Sequence, residues 1–195
     1  MIGKVLVFLR KRLDDYLRSQ LSGAGDDPVA DRVVFVDGDK MEPISFQEGA
    51  VSELLINIEE ERLLRAADPY IGIQENGKPQ RKQPDLRLVL YILFVARFKQ
   101  YDVAWDHLAK IIEYLQSNRT FEREVNPDLP VGIDRLMFEL MTQSFAEQND
   151  IWNALRTTYH PSALYRARLV VLRDVKPTVP AQITQPVVVN LHKVS

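Results

Sequence analysis

The segment from Gly72 to Pro79 comes nearest to a ligand-binding motif, because it has the glycine and lysine spacing of a nucleotide-binding P-loop. Pro79 stands where such a loop has the Ser or Thr hydroxyl that coordinates Mg²⁺, and proline also lacks the backbone N–H that would contact phosphate. No predicted strand-to-helix transition surrounds the segment. The sequence therefore argues against nucleotide binding, and a nucleotide-binding regulator is kept only as a remote alternative.

The three histidines show no catalytic or metal-ligand spacing. His107 lies on a predicted helix, His160 precedes a proline, and His192 lies near the C-terminus. Asp106 is next to His107, but adjacent helical residues point to different sides of the helix. We therefore predict no catalytic residue, no metal site and no cofactor, and we expect that the protein is not an enzyme.

Four clusters of charged residues are predicted to lie on solvated surfaces. The acidic tracts Asp14–Asp15 and Glu59–Glu61 could supply paired carboxylates for acid–base chemistry, but nothing marks a pocket around either of them. The basic clusters Arg10–Arg12 and Arg81–Lys82 lack the interleaved aromatic residues that stack on bases. With a formal net charge of −2, the chain is not expected to bind nucleic acid.

Three helices follow from apolar residues that recur at every third or fourth position. The first begins at Ile2 and ends before the breaker at residues 22–25, the second runs over Tyr101–Leu115, and the third carries Ile151, Trp152 and Leu155. Ser144 and the glutamate three residues later predict a capping box at the start of the third helix. Each helix is expected to bury its apolar stripe against a sheet.

Five strands follow from β-branched runs and from alternating apolar residues. From Leu86 to Phe98 apolar residues occupy almost every position, so both faces would be buried, which predicts the central strand of a layered domain. Residues 64–84 contain Asn76-Gly77 and are predicted as a loop or an exposed hairpin. The other four predicted strands are Val33–Val36, the alternating segment around Leu54, Ile56 and Ile58, Ile133–Met141, and the segment from Tyr165 to about Leu172.

The sequence thus predicts an α/β (α+β) fold in one domain over residues 1–174, with a central mixed sheet flanked by about three helices. Residues 175–195 contain three prolines and almost no charge, which predicts an extended C-terminal arm. Val187, Val188 and Val189 are strong strand formers within this arm. They could pair with an exposed sheet edge in the same chain or on a neighbour. The alternative is a frayed tail.

The order of residues after position 150 resembles the cap proteins, or tail terminators, of contractile, phage-tail-like injection systems. In that family, a helix with Leu or Ile, Trp and Leu leads into a Tyr-x-Pro-Ser-x-x-Tyr segment and an alternating strand. The N-terminal helix, the run from Leu86 and the helix from Tyr101 agree with the same family, whose N-terminal domain this chain resembles. The matching signature residues are Trp152, Tyr159, Pro161, Ser162 and Tyr165.

The resemblance implies a structural protein that forms a ring, by family a hexamer, at the distal end of the sheath and inner tube. There it would end polymerisation and link the two layers, with the sheath protein, the tube protein and further copies of itself as partners. An assembly adaptor or chaperone of the same particle is the alternative. Trp152 and Tyr165 lie on apolar stripes, so both are expected in the core, and Pro161 and Ser162 are expected to shape a turn.

The cellular compartment is predicted from two features that the sequence lacks, cysteines and a membrane-spanning run. The chain has no cysteine, which is compatible with assembly in a reducing bacterial cytoplasm before the particle is complete or released. Its longest apolar run is far shorter than the roughly 18 residues of a membrane helix. We therefore expect no membrane insertion.

Overall fold

A computed structural model describes residues 2–21, 31–37, 44–61, 71–73, 79–81 and 86–172. The chain divides into two units, Met1–Arg62 with Leu86–Leu172, and Leu63–Asp85 with Arg173–Ser195. The predicted arm, with Val187–Val189, and the predicted boundary at residue 174 lie outside the described residues. Both stay predictions.

The described residues of the first unit form three helices and six strands. The helices are α1 (Ile2–Gln20), α2 (Tyr101–Ser117) and α3 (Phe145–Ala154). The strands are β1 (Val33–Phe35), β2 (Ala50–Glu60), β5 (Leu86–Arg97), β6 (Thr120–Glu122), β7 (Arg135–Leu140) and β8 (Ser162–Leu172).

The second unit contributes a pair of short antiparallel strands, β3 (Ile71–Ile73) and β4 (Pro79–Arg81). The hairpin alternative for residues 64–84 agrees with this ladder, although Asn76-Gly77 lies outside the described residues. Gly72 and Pro79 are both in strands. A P-loop leads from a strand into a helix, and the described flanks of this segment do not.

The six strands form one mixed sheet in the order β1-β2-β5-β8-β7-β6. β1 is parallel to β2, and all other neighbouring strands are antiparallel. Three helices with a mixed six-stranded sheet confirm the predicted α+β class. The long apolar strand β5 lies between β2 and β8 near the middle of the sheet, as its composition predicted.

Both faces of β5 are buried, but by different layers. Leu90, Ile92 and Phe94 belong to the core that α1 and α2 cover. Leu93 and Val95, which alternate with them, face a smaller core that contains Phe46 and Trp152. The helices therefore cover one face of the sheet broadly and the other face narrowly.

Most elements agree with the sequence signals, but the buried face of β7 and the presence of β6 differ from them. The capping box is confirmed, because Ser144 Oγ accepts from the Glu147 amide at 3.3 Å and Glu147 accepts from the Ser144 amide at 2.8 Å. Leu140 is 48% exposed, so the buried face predicted for β7 ends at Phe138. β6 was not predicted, because three residues are too few to show an alternating pattern.

Asp14 corrects the prediction that the first acidic tract is exposed. Its carboxylate is 9% exposed, and Oδ1 accepts from the backbone amides of Arg32 and Val33 at 2.6 and 3.0 Å. Oδ2 accepts from Arg18 Nε at 2.7 Å. Asp14 therefore fixes the beginning of β1 against α1. Asp15, the next residue, is exposed as predicted.

Glu53 corrects the half-buried pattern predicted for β2, in which this glutamate alternates with the apolar residues. The residue is 2% exposed, and neither carboxylate oxygen has a hydrogen-bond partner. The first half of β2 is buried on both faces, so alternation there does not mark an exposed side. Burial raises the pKa of Glu53 well above its ordinary value, and the nearby positive charge of Arg10 opposes that rise.

Replacing Asp14 with Ala is expected to lower the free energy of unfolding by about 3 kcal/mol, because it removes a charged acceptor and leaves the Val33 amide without a partner. The measurement is urea denaturation followed by circular dichroism. Asp15→Ala is the matched control and should change stability by less than about 0.5 kcal/mol. Equal effects of the two substitutions would contradict the role assigned to Asp14.

Glu53→Gln is expected to stabilise the protein by about 1–3 kcal/mol at pH 8, because glutamine folds without either taking up a proton or burying a charge. Since the folded pKa of Glu53 lies above its ordinary value of 4.5, its contribution to stability is full below about that pH. It is lost as the pH rises through the folded pKa. Thermal melts from pH 4 to 8 should show a smaller decline in the variant. Glu124→Gln, at an exposed position, should leave the wild-type decline unchanged.

Candidate functional site

We call the sheet face that α1 and α2 cover the broad face, and the opposite face the narrow face. Trp152 of the signature is a core residue on the narrow face. It is 6% exposed and makes edge contacts with Phe46 and Tyr159, at ring-centroid distances of 6.2 and 5.6 Å. His160 contacts the rings of both Phe46 and Trp152, at 5.7 and 6.0 Å. Burial, and then the charge of Arg97, lower the pKa of His160, so its ring is neutral at pH 7. Tyr159 is half exposed.

The other signature residues begin β8. Pro161 is buried, and its carbonyl accepts from the Ala96 amide at 2.9 Å, so the ladder with β5 begins one residue before Ser162. Tyr165 is 3% exposed on the broad face, where its ring lies 5.9 Å from that of Phe94. Burial raises its pKa to about 12. The signature thus connects the cores on the two faces of the sheet.

His107 also packs in the interior. It is 6% exposed, its ring stacks on Phe98 at 4.2 Å, and Nδ1 lies 2.8 Å from the carbonyl oxygen of Val103. Asp106 is exposed, on another side of α2, as predicted. Among the described residues, no group of three or more histidine and carboxylate side chains is placed to hold a metal ion.

The narrow coverage of the second sheet face leaves an open groove of about 650 Å³ between β2 and α3. We call it the α3 groove. Trp152 is the one buried residue of the short helix α3, while Ile151 and Leu155 are partly exposed and line the groove. The sequence predicts all three as one apolar stripe; Trp152 is buried, and Ile151 and Leu155 are partly buried against the same core. Further apolar lining comes from Ile44, Leu54, Ile56, Met141 and Leu164.

The walls of the α3 groove are acidic. Glu147 and Asp150 of α3 and Glu59 of β2 line it, and its described lining contains no Lys, Arg or His. Hydrogen bonds from the backbone and side chain of Ser144 lower the pKa of Glu147. Glu59 accepts from the Tyr91 hydroxyl at 2.8 Å, and burial, followed by this carboxylate, raises the pKa of Tyr91. The groove therefore combines an apolar floor with three carboxylates.

Within the described part of the chain, the outer edge of β2 is open next to this groove. β1 pairs only with Val51, Ser52 and Glu53, so no strand of the described chain pairs with the outer edge of Leu54–Glu60. A register shift between Leu55 and Asn57 interrupts the pairing with β5, and Asn57 Oδ1 accepts from the Ile58 amide at 2.8 Å. An unpaired edge of this length can accept a strand from another chain.

A second open surface lies along the first half of α1. Lys4, Val7 and Lys11 fall on one side of the helix by their spacing of three and four residues. Both lysines are exposed, and Val7 is 50% exposed. We call these three residues the α1 stripe. They border a hollow of about 590 Å³ that also includes Asp15, Pro130 and the ion pair Arg12–Asp128, whose atoms are 2.7 Å apart.

Aromatic side chains are also exposed on α2 and at the start of α3. Tyr101 and Trp105 contact each other on α2 at 6.0 Å and are 67% and 38% exposed. Phe145, at the start of α3, is 92% exposed. No helix among the described residues has the length and apolar character to cross a bilayer. The described surfaces suit protein contacts better than chemistry on a small substrate.

A sheath/tube terminator and a tube-terminating cap are among the solved structures that share this fold. The chain is similar to the PVC sheath/tube terminator of an extracellular contractile injection system in its extended state, with a TM-score of 0.56 and 18% identity. It is also similar to the anti-feeding prophage cap, a tube-terminating cap, with a TM-score of 0.56 and 15% identity. Each match covers 97% of this chain but only 65% and 60% of the two solved chains. This chain therefore spans less than two thirds of their length.

The family follows from the sequence itself. No curated protein matches the chain, but the model of the Pvc16 N-terminal domain matches residues 4–186. The resemblance to cap or tail-terminator proteins, drawn from the Trp152–Tyr165 signature, is confirmed by this match and by the two terminator structures. Because the family model matches most of the chain, the protein belongs to the Pvc16 N-terminal domain family.

Proposed function

We propose that this protein is a structural cap of a bacterial contractile injection system, which ends the polymerisation of the sheath and inner tube. The observation that carries the proposal is the match of the Pvc16 N-terminal domain model to residues 4–186. The shared fold supports it, since both similar structures are terminators or caps and each match covers 97% of this chain. The role is structural, and no catalytic step is part of it.

We further propose that the cap is a closed ring of six copies that links the sheath to the tube. A cap that contacts both layers needs at least four contact surfaces, one for each of the two layers and a pair for its neighbours in the ring. The α3 groove, the open edge of β2, the α1 stripe and the exposed aromatic pair Tyr101–Trp105 supply surfaces of this kind. Assembly takes place in the cytoplasm, and the protein stays in the finished particle.

An adaptor or chaperone that leaves the particle is the alternative role in the same system. The two roles differ in whether the protein remains bound after assembly. Mass spectrometry of purified particles separates them, because a cap is present in a fixed ratio to the other end components, whereas a chaperone is absent.

Deleting the gene is expected to give particles that are overlong, ragged or open at the end opposite the baseplate, because nothing stops subunit addition there. Negative-stain electron microscopy measures particle length and the structure of that end. Expression of the protein from a plasmid is the control and should restore uniform, closed ends. Particles of normal length with closed ends in the deletion strain would overturn the proposed function.

The arm at residues 175–195 is proposed to pair, through Val187–Val189, with a sheet edge of a neighbouring chain. Truncation after Asp174 should then weaken oligomerisation or sheath binding at least about tenfold while the domain stays folded. Sedimentation with particles measures binding, and circular dichroism measures folding. Replacing Gln182 and Gln185 with Ser, in the same arm, is the matched control. Unchanged assembly of the truncated protein would contradict a role for the arm.

A further inference from the structure

We propose that the acidic α3 groove of one copy binds the α1 stripe of the next copy in the ring. The inference rests on the proposed cap function, because only a closed assembly of identical copies requires it. In such a ring each copy uses two different, complementary surfaces, one for each neighbour. The α3 groove and the α1 stripe belong to different elements of the same unit, and both are open on the described surface.

Charge is the first argument for this pairing. The described lining of the groove has three carboxylates, Glu59, Glu147 and Asp150, and no basic residue. The α1 stripe presents Lys4 and Lys11, both exposed. Opposite charges on two surfaces favour their encounter and fix their orientation, while two copies of the same surface repel each other.

The stripe keeps its positive charge despite the acidic residues near it. The hollow beside α1 also contains Asp15 and Asp128, but Asp128 forms an ion pair with Arg12 at 2.7 Å. Lys4 and Lys11 take part in no ion pair among the described residues. Three basic and two acidic side chains therefore leave a net charge of +1 in the lining of this hollow.

Shape and apolar character agree with the charges. Lys4 and Lys11 are seven residues apart, about 10 Å along the helix axis, with Val7 between them. In the groove, Glu59 belongs to β2, Asp150 belongs to α3, and the apolar floor includes Ile56 of β2 and Leu155 at the end of α3. Val7 would contact Ile56 and Leu155 on that floor. The lysine stems would cover the remaining apolar surface while their ammonium groups reach the carboxylates.

Crosslinking tests this contact directly, because the chain contains no cysteine. In assembled particles that carry Lys11→Cys together with Asp150→Cys, oxidation should join neighbouring copies and give a ladder of bands up to the closed ring on a non-reducing gel. The matched control combines Asp150→Cys with Asp102→Cys, an exposed position on α2. The control should stay monomeric.

Charge exchange provides the second test. One variant carries Glu59→Lys and Asp150→Lys, and the other carries Lys4→Glu and Lys11→Glu. Each alone should form closed rings at least about tenfold less well than the wild type, because like charges then meet at every contact. Coexpression of the two should restore rings, since grooves and stripes of opposite charge can alternate around six copies. Native mass spectrometry of caps released from particles counts the copies.

The outcomes separate this inference from the proposed function. Capped particles without a crosslinked ladder, or wild-type assembly of either charge variant alone, would overturn the groove–stripe contact and leave the cap function standing. A protein that is absent from particle ends would overturn both. A ladder with Lys11→Cys and Asp150→Cys, together with restored rings on coexpression, would establish the contact.

Discussion

The burial of β5 on both faces is the constraint on which the rest of the structure depends. A strand that is apolar on both sides must lie inside the sheet and must be covered from above and below. β2 and β8 flank it, α1 and α2 cover one face, and Phe46 with Trp152 covers part of the other. The Trp152–Tyr165 signature helps to cover both faces, because Trp152 lies in the core on one face and Tyr165 lies in the core on the other.

The helices cover the two faces of the sheet unequally, and this difference connects the fold with the proposed function. Two long helices bury the broad face, but α3 has only ten residues and buries only Trp152. Among the described residues, α3 leaves uncovered an apolar floor with acidic residues around it and a strand edge that no described strand pairs with. Exposed apolar patches and unpaired strand edges are uncommon on monomeric proteins unless they bind a partner. In a protein that is part of an assembly, a neighbouring chain can cover both surfaces.

The sequence predicts the elements well where the signal is long and local. The apolar periodicity of α1 and α2 and the apolar run of β5 each extend over a dozen or more residues, and the Ser144–Glu147 capping box is local. What it misses depends on contacts between distant segments. Asp14 is buried because the amides of Arg32 and Val33 meet it, and Glu53 is buried because a helix layer covers its face. Neither their type nor their spacing reveals these neighbours. The groove likewise exists because α3 buries a single residue, which the apolar spacing of its sequence does not indicate.

The strand order also determines when, during synthesis, the α3 groove can form. β8 is the last strand of the described chain, yet it inserts between β5 and β7. During synthesis, those two strands therefore expose bare edges until the residues of β8 have left the ribosome. Leu164 of β8 lines the α3 groove, so a nascent chain lacks that surface. The α3 groove therefore forms only after β8 has been synthesised and has paired with β5, so a shorter nascent chain cannot offer this groove to a partner.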